Sequence, residues 1–312
     1  MVRFQSMSWW RGRLIRALRS RAPVSVARVR VASRDPRAAY FIQPLAPVGQ
    51  WGRVRADITS PASVRDAVTG SFAVINLVGT FRGSLRAEHV NGARNVAEAA
   101  RDAGAQALVH ISAIGADPKA DSVYGRTKGE GELAVKEAFP GATIIRPSII
   151  FGPEDDLTNR LAALSRLPVL PVIAAKRQFQ PVFVEDVAKA IALAATDPLT
   201  HGGKTYEIGG PQVMTMEDIY SICARSAGQE PDLLDLPNFA SAFLSTFGFL
   251  PGAPLTRDQW KMLQRDNLPA RKSKGLEAFG IDPTALGSVA PQWLQRFRQG
   301  GRWAARAAKE AA

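Results

Sequence analysis

Ala107-Leu108-Val109-His110-Ile111-Ser112, followed by Tyr124-Gly125-Arg126-Thr127-Lys128 and then by Ala142-Thr143-Ile144-Ile145-Arg146-Pro147, is the stretch that decides the fold. Its two ends are short apolar runs, as strands buried on both faces should be, and a helical stretch running to Ala138 lies between them. The alternation continues upstream. Phe72-Ala73-Val74-Ile75-Asn76-Leu77-Val78-Gly79 is another apolar run closed by glycine. From Ala87 to Ala103 the residues Val90, Ala93, Val96, Ala97 and Ala100 recur at helical spacing, and Gly104 ends the pattern. Strand-helix repetition demands right-handed crossovers, so the reading predicts an α/β, Rossmann-like, doubly wound parallel sheet covered on both sides. Function then belongs at the carboxyl ends of the strands.

Tyr124 and Lys128 stand four apart on one helical face, twelve residues and more after Ser112 at its strand end. A nearby cation lets a phenol ionise more easily, and a hydroxyl beside it can hold a carbonyl. Ser112, Tyr124 and Lys128 therefore form the candidate catalytic set, suited to proton transfer at an oxygen while a hydride moves. An amphipathic helix also places Tyr and Lys at this spacing without any chemistry.

The order of Asn76-Leu77-Val78-Gly79, Ser112, Tyr124-x-x-x-Lys128, Arg146-Pro147-Ser148, Phe151-Gly152-Pro153-Glu154-Asp155 and Pro181-Val182-Phe183-Val184-Glu185-Asp186 resembles the extended and atypical short-chain dehydrogenase/reductases, including NAD-dependent epimerases and dehydratases. More narrowly, His110 to Asp117, Tyr206 to Pro211 and Leu255-Thr256-Arg257-Asp258-Gln259 look like the nucleotide-binding accessory subunit family of respiratory complex I. That resemblance implies NADP(H) as cofactor, complex I subunits as partners, and a peripheral place on the cytoplasmic face of a bacterial inner membrane, or on the matrix side of the mitochondrial one. It also implies cofactor contacts from Gly12, Arg34, Asp57, Asn76, Gly79, Tyr124, Lys128 and Pro147.

The chain departs from the family where the pyrophosphate should rest. Relatives open with a short strand and a glycine-rich turn at a helix amino end, but Gln5 through Arg11 contain no glycine, and Trp9 and Trp10 stand where backbone must approach the ligand. Only Gly12 precedes Leu14-Ile15-Arg16-Ala17-Leu18, which looks like the family's first helix. Three explanations stand side by side: a decayed site in a structural subunit, a mis-assigned start or reading-frame error, and a replacement sequence. Elsewhere the cofactor reading survives. Val26 to Ala32 alternates as a second strand, and Arg34, with Arg37 near it, falls where a 2′-phosphate would lie, although surface charge explains an isolated arginine equally well. Asn76 is either a ligand contact or a strand-end residue bonding its own loop.

Composition limits the alternatives. The 312 residues are 46% hydrophobic with mixed charge, enough for a full core, and a lone cysteine, Cys223, within a helix-like stretch reads as packing. His89, His110 and His201 show no metal-ligand spacing, so no metal is expected. A net charge of +12 suits an anionic membrane surface or acidic partner, and no nucleic-acid module is evident. The first 34 residues hold nine arginines and no acid, a composition shared by mitochondrial targeting peptides and by a basic first helix.

The predicted organisation is a nucleotide-binding domain over 1–210, its first strand and glycine turn degenerate, and a smaller, mostly helical lobe over 211–312. In that lobe Met214 to Ala227 reads as a helix capped by Thr215. The uncharged segment 239–250 reads as a core or interfacial helix, and the tail from Trp293 through Arg296, Arg302, Trp303, Arg306 and Lys309 as a basic amphipathic helix. Pro168 to Ala175 reads as a connecting loop. Two functions follow: a complex I accessory subunit not catalytic by itself, or a free NADP-dependent reductase or epimerase acting on a small molecule.

Overall fold

The apolar runs assemble side by side. In this computed structural model, which describes residues 2–4, 28–37, 50–81, 83–246 and 255–298, they are β1 (Val2–Phe4), β2 (Val29–Ser33), β3 (Trp51–Arg55), β4 (Ala73–Asn76), β5 (Ala107–Ile111), β6 (Thr143–Pro147) and β7 (Thr205–Ile208). The order across the sheet is β7-β6-β5-β4-β1-β2-β3, and every pairing is parallel. The direction of winding reverses between β1 and β4, the place where open α/β sheets bind ligands. A first strand thus exists although its sequence carries no family turn. Gly12 and the rest of 5–27, including Trp9, Trp10 and Val26, lie outside the described residues.

Helices α1 (Pro61–Val68), α2 (Gly92–Asp102) and α3 (Val123–Ala138) share one buried cluster with the sheet, built from Val64, Val96, Val135, Val74, Leu108 and Ile144. Their neighbours Ile75, Val109 and Ile145 point the opposite way along each strand and are equally buried. Helix α4 (Val184–Thr196) packs against β4, β5 and β6, its buried alanines Ala188, Ala190, Ala192, Ala194 and Ala195 allowing close approach. Local signals set the helix ends. Ser60 and Ser122 accept backbone N–H bonds at the starts of α1 and α3, and Pro61 occupies the first turn of α1. The expected single helix over 87–103 opens instead with a π-turn at Ala87–Asn91, whose hydrogen bonds span one residue more than those of an α-helix, before α2 begins.

The chain divides into two compact units, and the cut is interleaved rather than single. One comprises Met1–Pro147, Val184–Ile208 and Pro269–Asp282, the other Ser148–Phe183, Gly209–Leu268 and Pro283–Ala312, so the expected boundary near residue 210 is crossed in both directions. In the second unit the expected loop at Pro168 to Ala175 is a strand, Val169–Ile173, paired in parallel with Asp232–Leu236. Leu170 and Val172 are buried at alternate positions, while Pro171 is exposed on a two-stranded edge, where its missing N–H is tolerated. The helix expected over Met214 to Ala227 runs from Met216 to Ser226, after Met214–Thr215 has paired as a short strand with Gln178–Phe179; Thr215 caps it as expected, in a capping box with Asp218.

The uncharged segment contributes a helix at Asn238–Thr246 turned in an unexpected sense. Ser241 and Ser245 are buried, whereas Phe239 and Phe243 are 78% and 66% exposed, so this stretch is not a core helix on its phenylalanine face. Phe247 to Leu250 lie outside the described residues, as do Arg302, Trp303, Arg306 and Lys309. The described start of the tail is a short helix, Pro291–Leu294, and a 3-10 turn, Gln295–Phe297. Trp293 is buried and stacked on Phe183, so it belongs to the core of its unit and not to a surface helix. Among the described residues no helix is long and apolar enough to cross a membrane.

Candidate functional site

The sequence-derived residues of the first unit gather along one edge of the sheet because each follows the end of a parallel strand. Arg34 lies just past β2, Asp57 past β3, Asn76 ends β4, Gly79 follows it, Ser112 follows β5, and Pro147 ends β6. Helix α3 starts beside this edge and brings Tyr124 and Lys128 to it. A Cβ placed on Gly79 would meet Lys128 Nζ at 3.2 Å and the Tyr124 hydroxyl at 3.9 Å, so glycine there keeps the loop against the helix face.

Lys128 is buried, and its ammonium donates to the carbonyls of Val78 at 3.1 Å and Ile111 at 2.9 Å. Two of its three donors therefore brace the tips of β4 and β5, and the third has no partner among the described residues. Burial lowers its pKa from 10.5 to about 8, with Glu132, one helical turn on, pulling the other way. Glu132 is itself buried and gripped by Arg146, whose Nε and Nη2 donate to its two oxygens at 2.8 and 2.7 Å. Nη1 of Arg146 donates to Glu207 at 2.9 Å, and Glu207 accepts the Ala270 N–H at 2.7 Å. Lys128, Glu132, Arg146 and Glu207 thus alternate in sign from the site across β6 to β7. The two carboxylates hold the Arg146 guanidinium above its usual range.

Tyr124 does not become the more acidic phenol that its lysine neighbour suggested. Burial pushes its pKa above the ordinary tyrosine value, and the ammonium sits 6.0 Å from the ring centroid while bonded to backbone. Desolvation wins over the remote charge. Phe81 stacks on the Tyr124 ring at 4.4 Å between centroids and 19° between planes, and His89 meets it edge-on at 5.3 Å.

Two histidines that no metal-ligand spacing links, His89 and His110, shape the edge. His89 accepts the Thr80 N–H at Nε2, so its proton sits on Nδ1, 2.9 Å from Thr127 Oγ1, which donates onward to the Val123 carbonyl. Burial, helped by Lys128, lowers its pKa to about 3, so it stays neutral and pins the Gly79–Phe81 loop to α3. His110 faces Asn76, whose Nδ2 lies 3.0 Å from its Nδ1, and Asn76 Oδ1 accepts the Val78 N–H. Asn76 is thus fixed at its strand end by Val78 and His110. Burial and Lys128 keep His110 neutral as well, and its buried Nε2 has no partner among the described residues. No spacing pattern signals His89 or Phe81; only the fold brings them to Tyr124.

Among the described residues Ser112 Oγ likewise has no hydrogen-bond partner and is buried. A native fold rarely leaves a hydroxyl in that state, and a ligand oxygen is the kind of group that satisfies it. Asp57 folds back on Thr59, accepting its N–H at 2.9 Å and hydroxyl at 2.8 Å, which together hold its carboxyl below the usual range. Pro147 is buried and offers its carbonyl to Ile114 N–H. Arg34 is exposed and ion-paired with Glu88 at 3.6 Å. A glycine, an ammonium and an unsatisfied hydroxyl at the strand tips, with an exposed guanidinium past β2, are groups able to hold a nucleotide.

Residues 13–209 match the NAD dependent epimerase/dehydratase family. The mitochondrial NADH dehydrogenase [ubiquinone] 1 alpha subcomplex subunit 9 of Mus musculus is 32% identical over 83% of this chain and 71% of its own. The mitochondrial NADH-ubiquinone oxidoreductase 40 kDa subunit of Neurospora crassa is 26% identical over 92% of this chain and 77% of its own. Among solved structures, an NADPH-dependent quinone oxidoreductase from Escherichia coli complexed with NADPH superposes with a TM-score of 0.74 at 19% identity, covering 94% of this chain and 99% of that one. That likeness is one of fold, an NAD(P)-binding Rossmann fold.

Proposed function

Because the chain belongs to the NAD dependent epimerase/dehydratase family, and within it to the line of the mitochondrial subunit 9 proteins, we propose that it serves as a peripheral accessory subunit of a membrane-bound NADH:quinone oxidoreductase. The observation that carries this reading is the extent of the likeness to respiratory subunits, which takes in most of both chains. The chemistry of the edge supports it. Tyr124 is buried beneath Phe81 with its proton held tightly, and Lys128 is engaged on two backbone carbonyls, an arrangement better suited to rigidity than to turnover.

In this role NADP(H) would be held by Arg34 at the 2′-phosphate, Asp57 beside the adenine, Gly79 and Lys128 at the ribose, with Tyr124, Asn76 and Pro147 lining its path. The cofactor carries a hydride, but here its binding energy adds to the stability of the folded subunit by mass action. Its partners are complex I subunits, with an anionic membrane surface beside them drawn to the +12 chain. The place is the cytoplasmic face of a bacterial inner membrane, or the matrix side of the mitochondrial one. Co-purification with respiratory subunits from detergent-solubilised membranes tests the proposal, and recovery solely as a soluble, turning-over enzyme refutes it.

One observation favours a second reading, a free NADP-dependent reductase or epimerase. The unsatisfied Ser112 hydroxyl is what a carbonyl-polarising group looks like. In that case Tyr124 would pass a proton to or from the substrate oxygen and Lys128 would steady the phenolate. Tyr124→Phe would then abolish turnover with the fold intact, and unchanged turnover would end the idea.

A further inference from the structure

We infer that Glu88 is a selectivity residue for the adenosine end of the nucleotide: it occupies Arg34, so that a 2′-phosphate binds only by taking the guanidinium from the Glu88 carboxylate. The inference rests on the nucleotide-holding reading above and adds to it a residue that no motif contains.

The geometry has a fixed partner and a movable one. Glu88 lies in the π-turn Ala87–Asn91, and the next residue, His89, is tied to Thr80 and Thr127 at 3.0 and 2.9 Å. The carbonyl of His89 also presses on α3 at Gly131, where an added Cβ would come within 2.1 Å of that oxygen. The backbone carrying Glu88 is thereby clamped, and its side chain is only 14% exposed. Arg34, by contrast, follows β2 on a side chain that is 64% exposed. Their 3.6 Å ion pair joins the end of β2 to the turn entering α2, on either side of the reversal in winding between β1 and β4. The field of Arg34 also reaches Asp57 and helps hold its carboxyl down, so this one guanidinium faces two carboxylates. A 2′-phosphate placed there meets a cation whose charge is already answered, and Glu88 repels it. A 2′-hydroxyl carries no charge and pays no such penalty. Glu88 therefore lowers the preference for 2′-phosphorylated nucleotides that Arg34 alone would confer.

The test compares NADPH with NADH, which differ by the 2′-phosphate alone, on the full chain, through quenching of tryptophan fluorescence. Its readout is the ratio of the two dissociation constants. Glu88→Gln should raise the preference for NADPH about fivefold, the scale of a partly exposed ion pair, and Glu88→Ala should do the same. Arg34→Gln should bring the ratio to one or below, and adding Glu88→Gln to it should move the ratio less than Glu88→Gln does with Arg34 present, because only the direct repulsion is then left to relieve. An unaltered ratio in both Glu88 variants overturns this inference alone. Failure of the unmodified protein to bind either nucleotide overturns it together with the reading on which it rests.

Discussion

Replacing Lys128 by methionine gives the sharpest test of the electrostatics of this edge, because the variant keeps the length of the side chain and removes its charge. A fall in pKa from 10.5 to about 8 means that folding at neutral pH carries a protonated amine into a place that disfavours it by about 3 kcal/mol. Lys→Met relieves that cost, but leaves the carbonyls of Val78 and Ile111 without their donor, at roughly 1–3 kcal/mol each. Near pH 7 the two effects oppose one another. The pH dependence separates them. Above about pH 8 the folded protein releases the proton while the unfolded chain keeps it up to 10.5, so the unfolded state binds more protons and stability rises with pH. Relative to Lys128→Met, the unmodified protein should gain about 2–3 kcal/mol between pH 7 and pH 10. Urea unfolding followed by circular dichroism at each pH, for both proteins, measures the difference. A difference that stays flat across this range would mean that Lys128 titrates as an ordinary surface lysine, and the account of a desolvated ammonium bracing the strand tips would be wrong.

Other perturbations probe the same framework. His89→Gln should flatten the acid side of the stability profile: the folded pKa of about 3 lies below the ordinary 6.5, so stability falls as pH drops through this window, by up to about 1.4 kcal/mol per pH unit for this one group, and the variant should lose that slope in acid titrations followed by tryptophan emission. Gly131→Ala forces its methyl against the His89 carbonyl at 2.1 Å, so α3 and the π-turn must part; overpacking of this kind costs about 1–3 kcal/mol, and differential scanning fluorimetry should register a lowered Tm, whereas an unchanged Tm would mean that the two elements are not clamped. Arg146→Met leaves the buried Glu132 carboxylate unpaired and should destabilise by about 3–5 kcal/mol in urea; adding Glu132→Gln should recover much of the loss, and no recovery would show that the pair is not the source.

The sheet was legible in the sequence because parallel strands buried on both faces must be apolar without interruption. Val74-Ile75, Leu108-Val109 and Ile144-Ile145 carry that signature, and each is fully or nearly fully buried. The Ser122 and Thr215 caps and the Tyr124–Lys128 face were legible for equally local reasons. What misled was information that resides only in the assembled molecule. Prolines at 168 and 171 argued for a loop, but a two-stranded edge accommodates Pro171. The uncharged, phenylalanine-rich segment allowed a core or an interfacial helix, and only the assembled molecule shows that Ser241 and Ser245 face inward while Phe239 and Phe243 are exposed. In the site, spacing placed Lys128 beside Tyr124 but could not reveal that burial would overturn the expected acidification, nor that Phe81, His89 and Glu88 would arrive from the next loop and turn.

A membrane-bound respiratory assembly containing this chain is the claim on which the rest depends. Affinity isolation of the tagged chain from mild-detergent extracts of membranes, followed by mass spectrometry and native gel electrophoresis, measures it directly. The account predicts that the chain migrates in a large particle with the core NADH:quinone oxidoreductase subunits in near-stoichiometric amounts. Migration as a free polypeptide of 33.6 kDa or its small oligomer, with no respiratory subunits retained, would contradict it.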